Sequence, residues 1–231
     1  QTCIVDSAKT RDVTCKPTCR RYCKTKPFTM YQPEWIEAQE LRKNDFIIFP
    51  RISSPEKDIV FDLTAFVEHR STLHFDDNFL WYEIGTNHLK TQKIPRYIHF
   101  DESFAKLLGF YIAEGWARLG ARESAIGFGF HQQEIHYAQE VRQLVKNVFS
   151  LESKIVFHKT RNSLQVLGYS RIVGEFLSLL CGRGAHNKHM PFDIVAKGKN
   201  DLVKLVTAYM FRGDGYDGKT NQTLSIKYST T

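Results

Sequence analysis

Long hydrophobic runs are missing from this 231-residue sequence: no stretch of 18 uncharged apolar residues occurs, so no helix is expected to cross a membrane. Compositional extremes are missing as well. Hydrophobic residues make up 42% and charged residues 25%, which excludes global disorder and a collagen-like fibre and leaves room for one large domain or two modest ones. No charged-then-apolar leader follows Gln1. Cysteine is scarce, five in all; an odd number without a leader argues against a secreted disulfide framework and for free thiols in the cytoplasm. The sequence opens on Gln1 rather than Met and stops at Thr231 inside a strand-like run, LSIKYSTT. Both ends read as cut, and the chain as an internal fragment.

Acidic residues are the minority sign, 25 against 32 Lys plus Arg, for a net charge of +7. The excess is uneven: +3 over residues 1–50, −1 over 51–100 and +5 over 101–231. A basic C-terminal part suits a polyanion partner, because counterions released from phosphate drive binding. The alternative is an ordinary solvated surface. Three cysteines, Cys15, Cys19 and Cys23, fall in VTCKPTCRRYC with three residues between neighbours. That spacing allows a zinc or iron–sulfur site, but no second ligand pair lies at the usual distance, so free thiols are the simpler reading.

Along the chain, residues 1–50 read as short strands and turns, with apolar runs at Trp35-Ile36 and Phe46–Phe49 around Lys43-Asn44-Asp45, and a boundary at Pro50 and SSP (53–55). From Asp101 the period changes. Phe104, Leu107, Leu108, Tyr111 and Ile112 form a helical stripe that Asp101 or Ser103 can cap and Gly115 can end. Ala125–Phe130 reads as a strand, Glu134–Phe149 as a helix, and Ile155–Phe157 with Leu164–Leu167 as a hairpin. Ile172–Leu180 and DLVKLVTAYMFRGDG (201–215) are again helical.

The first and last of these helices align without gaps at an offset of 100. Asp101 matches Asp201, Ala113 matches Gly213, Glu114 matches Asp214, and Gly115 matches Gly215. Ala105, Gly109 and Ala113 supply a small-residue line along which two backbones can approach. A carboxylate at a helix C-terminus faces the negative end of the dipole. Two such ends brought together repel until a divalent cation joins them, and Mg²⁺, which takes a few carboxylates plus water and phosphate oxygens, suits a phosphodiester substrate. Core helices with glycine caps and incidental acids are the bland alternative; the position-by-position match argues against it. Arg118, Arg122, Lys154, Arg161 and Lys188 are candidate DNA-phosphate contacts, each with a solvated charge as its alternative. His186 and His189 lack the second half of an HNH nuclease site and read as a surface loop, while His131, His136 and His158 read as surface residues.

LLGFYIAEG (107–115) and TAYMFRGDG (207–215) resemble the two copies of the LAGLIDADG motif of homing endonucleases, and the segment between them is similar to the type embedded in inteins. The resemblance covers residues 94–231. It implies an α+β fold of pseudo-symmetric αββαββα halves with a saddle of strands on double-stranded DNA. Glu114 and Asp214 would then hold Mg²⁺ and cut both strands, with a basic residue near the scissile phosphates: Lys159, or Arg161 as runner-up. The second motif departs from the pattern. Thr207 replaces its leading leucine and Tyr209 its central glycine, and a bulky ring there forces the helices apart unless it turns outward.

PEWIEAQELRKNDFIIFPR (33–51) resembles the Hint, or protein-splicing, domain of inteins, and CKPTC (15–19) sits where inteins carry a segment like CTPxH. Cys19 then occupies the place of the histidine assisting the first acyl shift, where a thiol is a poorer proton-transfer group. The expectation is therefore an intein fragment: a partial Hint domain over 1–52, a connecting region over 53–100, and an endonuclease domain over 101–231 whose second repeat lacks its strands. The parent would be monomeric, joined to host-protein exteins, and free of membrane partners; the fragment would neither splice nor cut. A non-cleaving DNA- or RNA-binding protein of maturase or regulator type, a degenerate intein remnant, or a thiol-metal module stands as the alternative.

Overall fold

The structure is a computed structural model that describes residues 2–5, 34–40, 46–47, 56–68, 70–85, 89–121, 123–158, 161–220 and 223–228; from 214 onward the description is of the backbone. The chain forms two units, Gln1–Ser53 and Ser54–Thr231. In the first, β1 (Thr2–Val5) lies between β2 (Glu34–Ile36) and β3 (Phe46–Ile47) in an antiparallel sheet, with Cys3 opposite Trp35 and Val5 opposite Phe46. The apolar runs expected around residues 35 and 46 are these strands. Cys15, Cys19 and Cys23 lie outside the described residues.

The second unit begins with short strands: β4 (Val60–Asp62), β5 (Leu73–Phe75), β6 (Phe79–Ile84), β7 (Leu89–Lys90), β8 (Ile94–Pro95) and β9 (Tyr97–His99). Period-two burial in β6 turns Leu80 and Tyr82 inward. These strands are core material rather than a connector. Phe61, Leu63, Leu80, Ile94 and Ile98 are buried in the same cluster as the later helices, and the Phe61 ring sits edge-on to Phe104 and Phe176 at 6.0 and 5.7 Å. A polar anchor adds to this: Glu175, 9% exposed, accepts from Arg171 at 2.9 Å and from the Glu68 backbone N–H at 3.0 Å.

Helix α1 (Glu102–Glu114) starts where Asp101 accepts from the Phe104 N–H at 2.9 Å, a side-chain N-cap. Its burial exceeds the expected stripe. Ala105, Gly109 and Phe110 are covered too, because a second helix lies on that side. The order then runs β10 (Gly115–Leu119), β11 (Ser124–His131), α2 (Ile135–Phe149), β12 (Ser153–Phe157), β13 (Ser163–Gly168) and α3 (Arg171–Cys181), an αββαββα succession. The four strands form one antiparallel sheet in the order β10-β11-β13-β12. Between residues 101 and 200 two elements escaped the sequence reading: β10, and the short α4 (Phe192–Lys197).

After α5 (Asn200–Asp214) come β14 (Gly215–Thr220) and β15 (Thr223–Tyr228), paired as a hairpin. This corrects the expectation that the second repeat lacks its strands, since its first two are present. Their register repeats the first copy: Gly115 pairs with Phe128 and Gly215 with Tyr228, Trp116 with Gly127 and Tyr216 with Lys227. The offset of 100 thus extends from the helices through both hairpins. Among the described residues no helix is long and apolar enough to cross a membrane.

Candidate active site

α1 and α5 touch where a side chain is least obstructive. A Cβ added to Gly109 would stand 2.5 Å from the Val206 carbonyl oxygen and 2.6 Å from Tyr209 Cβ; one added to Gly213 would stand 2.6 Å from Ala113 Cβ. Only glycine permits such an approach. At the opposite ends Asp101, Glu102, Asp201 and Leu202 border one cavity of about 460 Å³ together with Glu56, Asp58, His99 and Lys199. The helices therefore run side by side in the same direction, and both acid-bearing ends finish together.

Glu114 is half-buried, and its Oε1 would lie 3.9 Å from a Cβ on Gly213, the residue before Asp214. The Glu114 side chain thus lies beside the last turn of the second helix, its Cγ 3.2 Å from that Cβ position. Asp214 ends α5; its side chain lies outside the described part. The described residues contain no group of three or more His, Cys, Asp or Glu able to hold a metal alone. A pair of carboxylates still fits Mg²⁺, a hard ion that keeps several waters and binds through one or two carboxylates plus substrate phosphate.

Lys188 takes a place that its sequence context does not announce. Its half-buried ammonium donates to the carbonyls of Ala113 at 2.9 Å, Gly115 at 3.1 Å and Tyr111 at 3.3 Å, the C-terminal turn of α1 on both sides of Glu114. Residues more than 70 positions apart make this contact, so no local pattern could have found it.

Tyr209 does turn outward. It is 7% exposed, its ring packs edge-on against Phe110 at 5.1 Å, and its hydroxyl donates to Glu140 Oε1 of α2 at 2.6 Å. Arg212 lies over the Tyr209 ring at 4.5 Å and pairs with Glu140 at 3.5 Å. Burial, then the hydrogen bond to Glu140, pushes the Tyr209 phenol upward in pKa. The close approach at Gly109 therefore survives the loss of a glycine on the other helix. Glu140, the residue that receives the ring's hydroxyl, was not singled out from sequence.

The sheet's open face begins one residue beyond Gly115. The Trp116 indole lies across Gly127, where a Cβ would collide with the ring. Pairing continues this row through Leu167 to Lys154, from one edge of the four-stranded sheet to the other. Lys154 is exposed in β12, Arg161 is exposed at the β12–β13 turn, and Arg118 is exposed in β10 with its guanidinium paired to Glu123. Arg122 and Lys159 lie outside the described residues. His131 is exposed and caps the turn before α2, its Nδ1 accepting from the Gln133 N–H at 3.3 Å. His186 and His189 are exposed in the loop that carries Lys188.

No protein-family model matches the chain. Curated relatives do. An iron-sulfur cluster assembly SufBD family protein of Mycobacterium tuberculosis is 24% identical over 200 residues, which are 87% of this chain and 19% of that protein. A DNA polymerase of Thermococcus kodakarensis is 30% identical over 146 residues, 63% of this chain and 8% of the polymerase. The chain thus spans less than a quarter of the curated relatives it matches. Among solved structures, that of I-DmoI in complex with DNA and Mn has a TM-score of 0.35 and 13% identity, covering 51% of this chain and 64% of that one.

Proposed function

We propose that the chain belongs to an intein, with residues 54–231 in its homing endonuclease and residues 1–53 in its splicing domain. The intact parent hydrolyses both strands of a double-stranded DNA site with Mg²⁺ at Glu114 and Asp214, and it splices itself out between host-protein exteins, with Cys19 in the first splicing block. One observation carries this reading. Two parallel helices, 100 residues apart, each end in acid then glycine and pass into hairpins of equal register, and the first acid's side chain lies beside the second helix's last turn.

The relatives add support of a different kind. An iron-sulfur cluster assembly family protein and a DNA polymerase have names for unrelated work, yet both match this chain over a small part of their length. An element inserted into unrelated hosts behaves in that way. It also accounts for matches that the hosts' own activities would not produce.

A bound divalent ion supplies charge stabilisation to the scissile phosphate and activates water. The chain's own residues do the rest. Glu114 and Asp214 offer carboxylate oxygens from two helix ends, and Gly109 lets those ends meet. The open row from Trp116 to Lys154 faces the duplex. Arg118, Arg122, Lys154 and Arg161 hold phosphates, contacts that position the protein without reading sequence, and Lys159 serves near the scissile bond.

The test uses the full-length parent and a plasmid carrying the uninterrupted host site. Linearisation with Mg²⁺ is expected, with loss of cutting but retained binding in Glu114→Gln and in Asp214→Asn. Equal cutting by both variants sinks the site assignment. Binding by the parent without any cutting gives the non-cleaving alternative instead.

A further inference from the structure

We propose that Lys188 is a positioning residue for the first acid: an internal counter-cation that holds the last turn of α1, and Glu114 with it, in place before any metal arrives. The inference rests on the reading of Glu114 as a metal ligand. A helix ending in glycine commonly closes its final carbonyls through a left-handed residue just past its end. Gly115 does not do this. Its backbone is extended, φ −79° and ψ 154°, and the chain passes at once into β10. The Gly115 N–H reaches back to the Tyr111 carbonyl, and the Lys188 ammonium approaches that same carbonyl and those of Ala113 and Gly115 at 2.9–3.3 Å. A compact point charge with three donors suits such a cluster of acceptors, and a cation is favoured at the negative end of a helix dipole.

The loop that delivers Lys188 is itself built. Gly182 and Gly184 have φ of +80° and +81°, and a Cβ on Gly182 would collide with the Asn187 carbonyl. The His189 N–H donates to the Cys181 carbonyl at 2.8 Å, and the Asn187 N–H to the Gly184 carbonyl at 3.1 Å. The Tyr111 hydroxyl, from α1, donates to the Gly182 carbonyl at 3.4 Å. Both ends of the Lys188 contact are thus fixed by bonds that do not involve its ammonium. The two like-charged helix ends need not wait for a metal to hold them, because one end already carries its cation.

Three variants of the full chain test this. Lys188→Met keeps the aliphatic stem and removes the charge, Lys188→Gln keeps a donor without the charge, and Lys188→Arg keeps the charge. Amide hydrogen exchange over residues 112–117 is measured without metal, and Mn²⁺ binding by electron paramagnetic resonance, the ion standing in for Mg²⁺. Lys188→Met is expected to exchange at least tenfold faster there with α2 unaltered, and to bind Mn²⁺ about 10-fold more weakly, the usual loss when a supporting partner is removed. Lys188→Arg recovers most of both. Should the Met variant fail to fold, Lys188→Gln gives the same readings. Exchange and Mn²⁺ affinity within twofold of the parent overturn the proposal. Glu114→Gln separates the two claims: Mn²⁺ binding indifferent to that change overturns the metal-site reading, whereas exchange indifferent to Lys188→Met overturns this one.

Discussion

At the crossing of the long helices the first repeat places Gly109 and the second, at the matching position, Tyr209. One has no side chain to fit; the other sends its ring away from the crossing onto Phe110 and its hydroxyl to Glu140. Two positions later both copies carry a ring, but Tyr111 is buried in the first repeat and Phe211 exposed in the second. Backbone register is the same in both copies, down to the pairing of the hairpins. At each matched pair, Gly109 with Tyr209 and Ala113 with Gly213, one glycine is enough for close approach, and the backbone path is duplicated more strictly than the side chains that support it.

The largest way to break that comparison is Gly109→Val. Its branched side chain would enter the Val206 carbonyl and Tyr209 Cβ, so a loss of about 3 kcal/mol or more is expected from overpacking, read by denaturant unfolding. A loss below 1 kcal/mol would mean that the helices separate freely and that the acids are not held together. Tyr209→Phe is the milder probe. It removes a hydroxyl donating to a carboxylate, worth about 1.5 kcal/mol, while leaving the ring in place; an unchanged unfolding midpoint would detach α5 from α2.

The smallest effect is alkaline. Burial raises the Tyr111 phenol pKa, and burial with the Glu140 bond raises that of Tyr209. Burial also pushes Tyr82 to about 12. An unfolded tyrosine ionises near pH 10. Above that the unfolded chain gives up protons that the folded one keeps, so the stability from these groups is complete below about pH 10 and declines as pH rises towards the folded values. Tyr111→Phe and Tyr209→Phe should each flatten the fall in melting temperature between about pH 10 and 11. Equal slopes in all three proteins would show that neither phenol is neutral by virtue of the fold.

What the sequence made legible was what repeats locally. The stripe from Phe104 to Ile112, the Asp101 cap and the 100-residue offset all lie within single elements or between identical ones. β12 and β13 were legible because their apolar runs flank a polar turn. β10 was not, because it starts on the glycine read as a helix stop and holds only five residues. Residues 53–100 read only as a connecting region since no strand there buries more than two side chains and β5 and β7 bury none, so that only their assembly around Phe104 and Phe176 makes a core. The cap on α1 was illegible for a stronger reason. Lysine in a glycine-rich loop looks like any solvated charge, and the carbonyls that fix its role have no side chain to betray them.

Gly115 joins α1 to β10 with no residue between, so helix and sheet form one stiff crank. Thirteen residues of helix make a lever of about 20 Å. A tilt of about 3° at its far end carries the acid through about 1 Å, a misplacement that can cost about 10²-fold in rate. The accuracy of the proposed cut is therefore set as much at the capped beginning of the helix as at its acidic end.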